Sequence, residues 1–152
     1  MDAQTVEIVG RNLLVSLLAR DVLEVARPER DRGVDLITYL DLDEEFGRFS
    51  ACPIQMKAAT SHSFSLMKKY EKFPQLLLVY VWHVTDPAKS VSYAMSYPEA
   101  LEVARQMGWT ETASWSKGSY STTKPSKRLS ALLEPHRMGL GDWKRKVHQM
   151  TA

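Results

Sequence analysis

Leu76 to Val84 reads LLLVYVWHV, apolar or aromatic at every position but His83. A strand with one wet face alternates apolar and polar residues, so an unbroken run of this kind belongs to a strand covered on both faces. The run is far shorter than the roughly 20 residues a membrane helix needs, and no membrane partner is expected. A chain carrying such a strand has to place a layer of structure on each side of a sheet. At 152 residues it has the length of one domain, which buries roughly two-thirds of its unfolded surface and needs no metal or disulfide staple. The lone cysteine, Cys52, cannot pair within the chain and reads as a small buried hydrophobe. The opening MDAQTVEIVG has acids and no basic start, unlike a secretory signal, so a reducing cytoplasm is the expected location.

The layers can be read from periodicity. Val6, Val9, Leu13 and Leu17, with Leu14 and Leu18 beside them, recur at helical spacing and predict an amphipathic helix over residues 4–19. A short strand is expected at Val22–Ala26, a polar loop at Arg27–Gly33, and a β-branched strand at Val34–Leu40. An acidic turn at 41–48 leads to a return strand at Ala51–Ala58. Ser61–Lys72 fits either a short helix or an ordered loop. Ser90–Met95 reads as a strand. Ser96, Pro98 and Glu99 form a capping box that starts a helix, which Gly108 ends. Thr110–Trp115 is expected to be a short strand, Ser126–Leu133 a helix stopped by Pro135, and Asp142 the cap of a last helix. The order predicts an α/β fold, a single domain over 1–152 with a mixed central β-sheet flanked by helices. Its core spans about 4–116 and a helical segment spans about 117–152.

That last segment carries eight Lys or Arg against two acids, +6, while the first 116 residues carry −4. A basic end on an acidic body attracts polyanions such as nucleic acid, although a solvated helical face has the same composition. Lys117, Lys124, Lys127, Arg128, Lys144 and Arg145 are the candidate phosphate contacts. Trp109, Trp115 and Tyr120 near Lys117–Lys124 fit base stacking or a core aromatic pair equally well. Trp143 fits either packing of the tail on the body or a basic surface.

The candidate chemistry lies in two segments, Gly33-Val34-Asp35-Leu36-Ile37 and Ile54-Gln55-Met56-Lys57. A hairpin centred near Glu45–Phe46 sets Asp35 opposite residue 56 within one position. Side chains alternate faces, so Gln55 and Lys57 share one and Asp35 joins them only if the register allows. A carboxylate with an amide oxygen suits Mg²⁺ (or Mn²⁺), and a lysine beside the metal can stabilise charge on an attacked phosphate. On spacing alone, a solvated strand-edge Asp35 and a snorkelling Lys57 fit as well. No GxSxG, GxGxxG or GxxxxGK[ST] occurs, which excludes the serine-hydrolase elbow and the common nucleotide loops. His62, His83, His136 and His148 share no metal spacing. His83 reads as a hydrogen-bonded structural histidine, and His62 as a polar turn or a phosphate contact.

A helix, a loop, GVDL on a strand and IQMK on the next resemble the PD-(D/E)xK nuclease superfamily, the restriction-endonuclease-like fold, over about residues 4–84. The match is closest to branches with glutamine in place of the second acid. In that family the aspartate opens the second core strand, the (D/E)xK or QxK motif lies on the third, and a preceding helix often supplies a glutamate. The resemblance implies Mg²⁺-dependent cleavage of nucleic acid, DNA above all, in dimers or larger assemblies. Asp35 and Gln55 would be metal ligands, Lys57 would act at the phosphate, and Glu7, the sole acid inside the first helix, would be the helix carboxylate. Two departures stand out. Gln55 is neutral, and Gly10-Arg11-Asn12 lies where many relatives have Gly-Glu. Arg11, one turn on, can simply pair with Glu7. A catalytically degenerate module that binds nucleic acid or a protein partner is the alternative, and an assembly protein docking through its tail is a third.

Overall fold

A computed structural model describes residues 1–40 and 49–152, so the acidic turn at 41–48 lies outside the described residues. The chain runs α1 (Ala3–Arg20), β1 (Leu23–Ala26), β2 (Leu36–Leu40), β3 (Ala51–Ala58), β4 (Phe64–Met67), a 3-10 turn (Lys68–Lys72), β5 (Leu77–Trp82) and β6 (Val91–Met95). It continues through α2 (Tyr97–Gln106), a 3-10 turn (Trp109–Glu111), α3 (Ala113–Ser116), β7 (Ser119–Thr122), α4 (Lys127–Leu133), a 3-10 turn (Glu134–His136) and α5 (Asp142–Thr151). Five strands make one mixed sheet in the order β1-β2-β3-β5-β6, with only β3 and β5 parallel. β4 and β7 form a separate antiparallel pair.

The apolar run behaves as its composition requires. All six residues of β5 are buried. Leu77, Val79 and Val81 face a core with Leu14 and Leu18 of α1 and Trp143 and Val147 of α5. Leu78, Tyr80 and Trp82 face a second core with Phe64, Trp109, Leu129 and the buried side of α2. Each polar tip is spent on the covering layer. Tyr80 Oη donates to Ser65 O at 2.6 Å and Trp82 Nε1 to Ser63 O at 2.7 Å. A parallel β3–β5 pair needs a crossover, and that crossover carries β4.

Three expectations change. Ser61–Lys72 contains a strand, because Phe64 and Leu66 alternate into the core and β7 supplies a partner. Thr110–Trp115 is helical instead of extended. Thr112 accepts a hydrogen bond from Trp115 N at 3.1 Å and so caps a helical turn. Asp142 is the first residue of α5 and not its cap. The α5 N-terminus is capped from across the fold by Asp21, which follows α1. Gly141 N donates to Asp21 Oδ1 at 2.8 Å, and Trp143 N to Asp21 Oδ2 at 2.9 Å.

Asp21 is 5% exposed, so removing its carboxylate strands the buried Trp143 N–H and the part-buried Gly141 N–H. Asp21→Ala should cost about 2 kcal/mol and lower the melting temperature by roughly 4–8 °C. Thermal unfolding followed by circular dichroism tests this, and an unchanged midpoint would deny Asp21 its clamping role.

Candidate metal and phosphate site

The register of β2 on β3 decides whether Asp35 can reach Gln55 and Lys57. Leu36 pairs with Ile54 and Tyr39 with Ala51, which sets Asp35 against Gln55, one residue from the expected 56. A shift of one residue exchanges the two faces of a strand, so this register puts Asp35 beside the side chain it needs. Beyond Leu36 the strands part while β3 continues to Ala58. Asp35 fills the opening. Its backbone N–H donates to Ile54 O at 2.8 Å, and its Oδ2 accepts from Met56 N at 2.7 Å and from Gln55 Nε2 at 3.3 Å. With the Gln55 amide nitrogen turned to Asp35, its Oε1 is the acceptor left to the site.

Two further acids converge here. Ligand atoms of Glu7, Asp31 and Asp35 all lie within 4.8 Å of one another. Glu7 arrives on α1, whose approach depends on Gly10, since a Cβ there would stand 2.5 Å from Ala58 Cβ on β3. Asp31 arrives on the β1–β2 loop, which turns at Gly33 with φ +103°. Asp35 is 6% exposed. Burial raises its carboxyl above the usual aspartate range, the Met56 N–H opposes this, Asp31 and Glu7 add to it, and Lys57 lowers it. Lys57 is itself exposed, two residues beyond Gln55 on β3.

Glu7 and Asp35 therefore come together, Gln55 hydrogen-bonds Asp35, and Lys57 is near enough to lower the Asp35 carboxyl. The sequence places Asp31 in a polar loop, and its spacing of four residues from Asp35 across a glycine is the available signal of a site role. Asn12 takes no part, because its Oδ1 accepts from Arg27 Nη2 at 2.9 Å. Arg11 Nη1 lies 4.0 Å from Glu7 Oε1, a loose pair that leaves Glu7 able to face the other acids.

The six basic candidates do not share one surface. Lys117, Lys124, Lys127 and Arg128 lie around β7 and α4, on the α2 side of the sheet, while Lys144 and Arg145 ride on α5, on the α1 side. Arg128 Nη2 donates to Gln106 O at 3.0 Å, and Arg145 Nη2 to Asp142 Oδ1 at 2.6 Å. The aromatic residues beside Lys117 are core. Trp109 and Trp115 are buried, and Tyr120 stacks on Trp109 at 4.4 Å. Trp143, 1% exposed, packs the tail on the body. His62 pairs with Ser61 Oγ through Nδ1 at 2.8 Å and packs edge-on against Trp82 and His83. Cys52 is buried and its thiol is pushed up to about 12 by that burial, as a packing residue and not a nucleophile requires.

No helix among the described residues is long and apolar enough to cross a membrane. Comparison with protein-family models, curated proteins and solved structures finds no match for the chain.

Proposed function

We propose that the chain is a metal-dependent nuclease of the restriction-endonuclease-like type, cutting phosphodiester bonds of nucleic acid at Asp35, Gln55 and Lys57. One observation carries this reading: three carboxylates converge at the point where β2 and β3 part, an amide hydrogen-bonds one of them, and a lysine follows two residues on along β3. The aspartate stands at the start of the second strand of the sheet, the QxK residues on the third, and the glutamate on the preceding helix. These positions support the reading.

The donor set fits a hard divalent cation. Carboxylate oxygens of Glu7, Asp31 and Asp35 with Gln55 Oε1 are the ligands Mg²⁺ or Mn²⁺ accepts. The third carboxylate supplies charge that the neutral Gln55 lacks. Mutual repulsion among the three acids opposes ionisation of Asp35, and a cation relieves that repulsion on binding. Bound there, it would polarise a phosphoryl oxygen and lower the pKa of a coordinated water. The chain's own residues do the remaining work. Met56 N and Gln55 Nε2 fix the Asp35 carboxylate. The Lys57 ammonium extends from the same strand and neutralises charge that builds on the phosphate during attack. Gln55 is oriented by Asp35 and in turn presents its oxygen.

Cleavage of a mixed panel tests the proposal: supercoiled plasmid, linear duplex, single strands, branched DNA and RNA, with Mg²⁺ or Mn²⁺. Lys57→Ala should lower the rate on the order of 10²-fold, with folding intact because Lys57 is exposed. Cleavage that survives Lys57→Ala would remove the lysine from the site. Absence of any metal-dependent cleavage by the wild type would leave the degenerate, binding-only reading.

A further inference from the structure

We infer that a cavity beside the acidic cluster receives one unpaired base of the nucleic acid, so that the substrate is a single strand, flap or frayed end in preference to continuous duplex. The cutting part of this inference rests on the nuclease reading above, whereas the binding part does not.

The cavity, about 300 Å³, shares a loop with the cluster. Asp31 and Asp35 point their carboxylates into the cluster, while the residues between them, Arg32, Gly33 and Val34, form one wall of the cavity. One short run of backbone thus joins the cavity to the acids. Lys69, Tyr70 and Phe73 line the cavity as well. Tyr70 is buried and feels the Asp35 charge, which together with burial raises its phenol above the usual range. Phe73 is 48% exposed and lines the cavity, so part of its ring is open to a ligand. Lys69 Nζ lies 5.5 Å from the Tyr70 ring centroid.

The chemistry of these walls selects the occupant. An exposed aromatic ring offers a stacking face to any base, and cations at the rim take the adjoining phosphates. Arg32 and Lys69 both line the cavity, with no acid among its lining residues, so the charge suits a polyanion. The volume sits at the small end of ligand cavities, roughly 300–1,000 Å³, and is enough for one base. A base within duplex stays stacked and reaches such a cavity only when extruded, at a cost of a few kcal/mol that an unpaired base does not bear. The basic residues of the tail lie apart on both sides of the sheet, so the strand is held chiefly beside the site itself.

The test is fluorescence anisotropy with a short fluorescein-labelled DNA single strand and the same sequence as duplex. Ca²⁺ replaces Mg²⁺, and the proteins are wild type, Phe73→Ala and Phe73→Trp. The wild type should bind the single strand more tightly than the duplex. Phe73→Ala should weaken single-strand binding about 5- to 150-fold, the range that loss of one base–aromatic stack produces, with duplex binding unchanged, and Phe73→Trp should retain it. Unchanged single-strand affinity in Phe73→Ala, equal losses on both substrates, or no wild-type binding to the single strand would each overturn the pocket. Selective loss with no cleavage under any metal would retain the pocket and reject the nuclease. Metal-dependent cleavage without the selective loss would do the reverse.

Discussion

Asp35→Asn should abolish metal-dependent cleavage, a loss on the order of 10³-fold or more, and at the same time make the metal-free protein more stable at neutral pH. The two effects have one cause. The carboxylate is nearly buried, and burial, Asp31 and Glu7 all oppose its charge, so its folded pKa stands above its unfolded value. A group raised in this way contributes stability in its protonated form. That contribution is complete below about pH 4, the ordinary carboxylate range, and is lost as pH rises through the folded value. At pH 7 the wild type therefore holds an ionised carboxylate that the fold disfavours. Asparagine removes the charge and keeps an oxygen to accept from Met56 N.

The melting temperature of Asp35→Asn should exceed that of the wild type at pH 7, and the difference should shrink on acidification. Mg²⁺ should raise the wild-type midpoint, because a ligand that binds only the folded state stabilises it. It should do so far less in the variant. An Asp35→Asn protein that melts lower at pH 7 and still gains from Mg²⁺ would show that Asp35 is structural and the cation binds elsewhere. The arrangement is a stability cost held at the candidate site, as expected of a carboxylate kept for function over packing.

How much of this was legible in the sequence depends on the range of the interactions. β5 was legible because burial on both faces leaves no alternation to misread, and α2 because its capping box is complete within four residues. The helical turn at Ala113–Ser116 was not, since a hydroxyl at Thr112 overrides the apolar and β-branched composition around it. β7 was hidden because its partner, β4, is more than 50 residues away, with Phe64 paired to Thr122 and Met67 to Ser119. The candidate site divides the same way. Asp35, Gln55 and Lys57 share one hairpin, and their faces follow from period two once the register is known. Asp31 and Glu7 reach them through the bend at Gly33 and the depth at which α1 sits, neither of which is encoded in local spacing. The clustering of positive charge in the tail was correct as a count and uninformative as a surface, because a sheet passes between its two halves.

Gly10→Ala is the substitution that tests how the fold sets that depth, and it should damage both stability and activity. In an exposed helix the change gains about 1 kcal/mol, because alanine is the better helix former. Here the new methyl would stand 2.5 Å from Ala58 Cβ, with Val84 Cγ1 at 3.5 Å and Met56 Cε at 3.6 Å. Ala58 cannot rotate away, so α1 has to lift from β3. Overpacking of this kind costs typically 1–3 kcal/mol, and part of the buried contact of Leu14 and Leu18 is lost with it. The net expectation is destabilisation of about 1–2 kcal/mol, a fall of roughly 2–8 °C in melting temperature. Glu7 lies one turn before Gly10 on the same helix, so lifting α1 also draws its carboxylate from Asp35 and weakens the cation site. Cleavage should then need more Mg²⁺ to reach its maximum. Ala58→Gly in the same protein opens the space the methyl needs. The double variant should recover the Mg²⁺ requirement even where strand glycine keeps stability low. Recovery of neither property would mean that α1 does not rest on β3 at Gly10, and a Gly10→Ala protein as stable as wild type would mean the same.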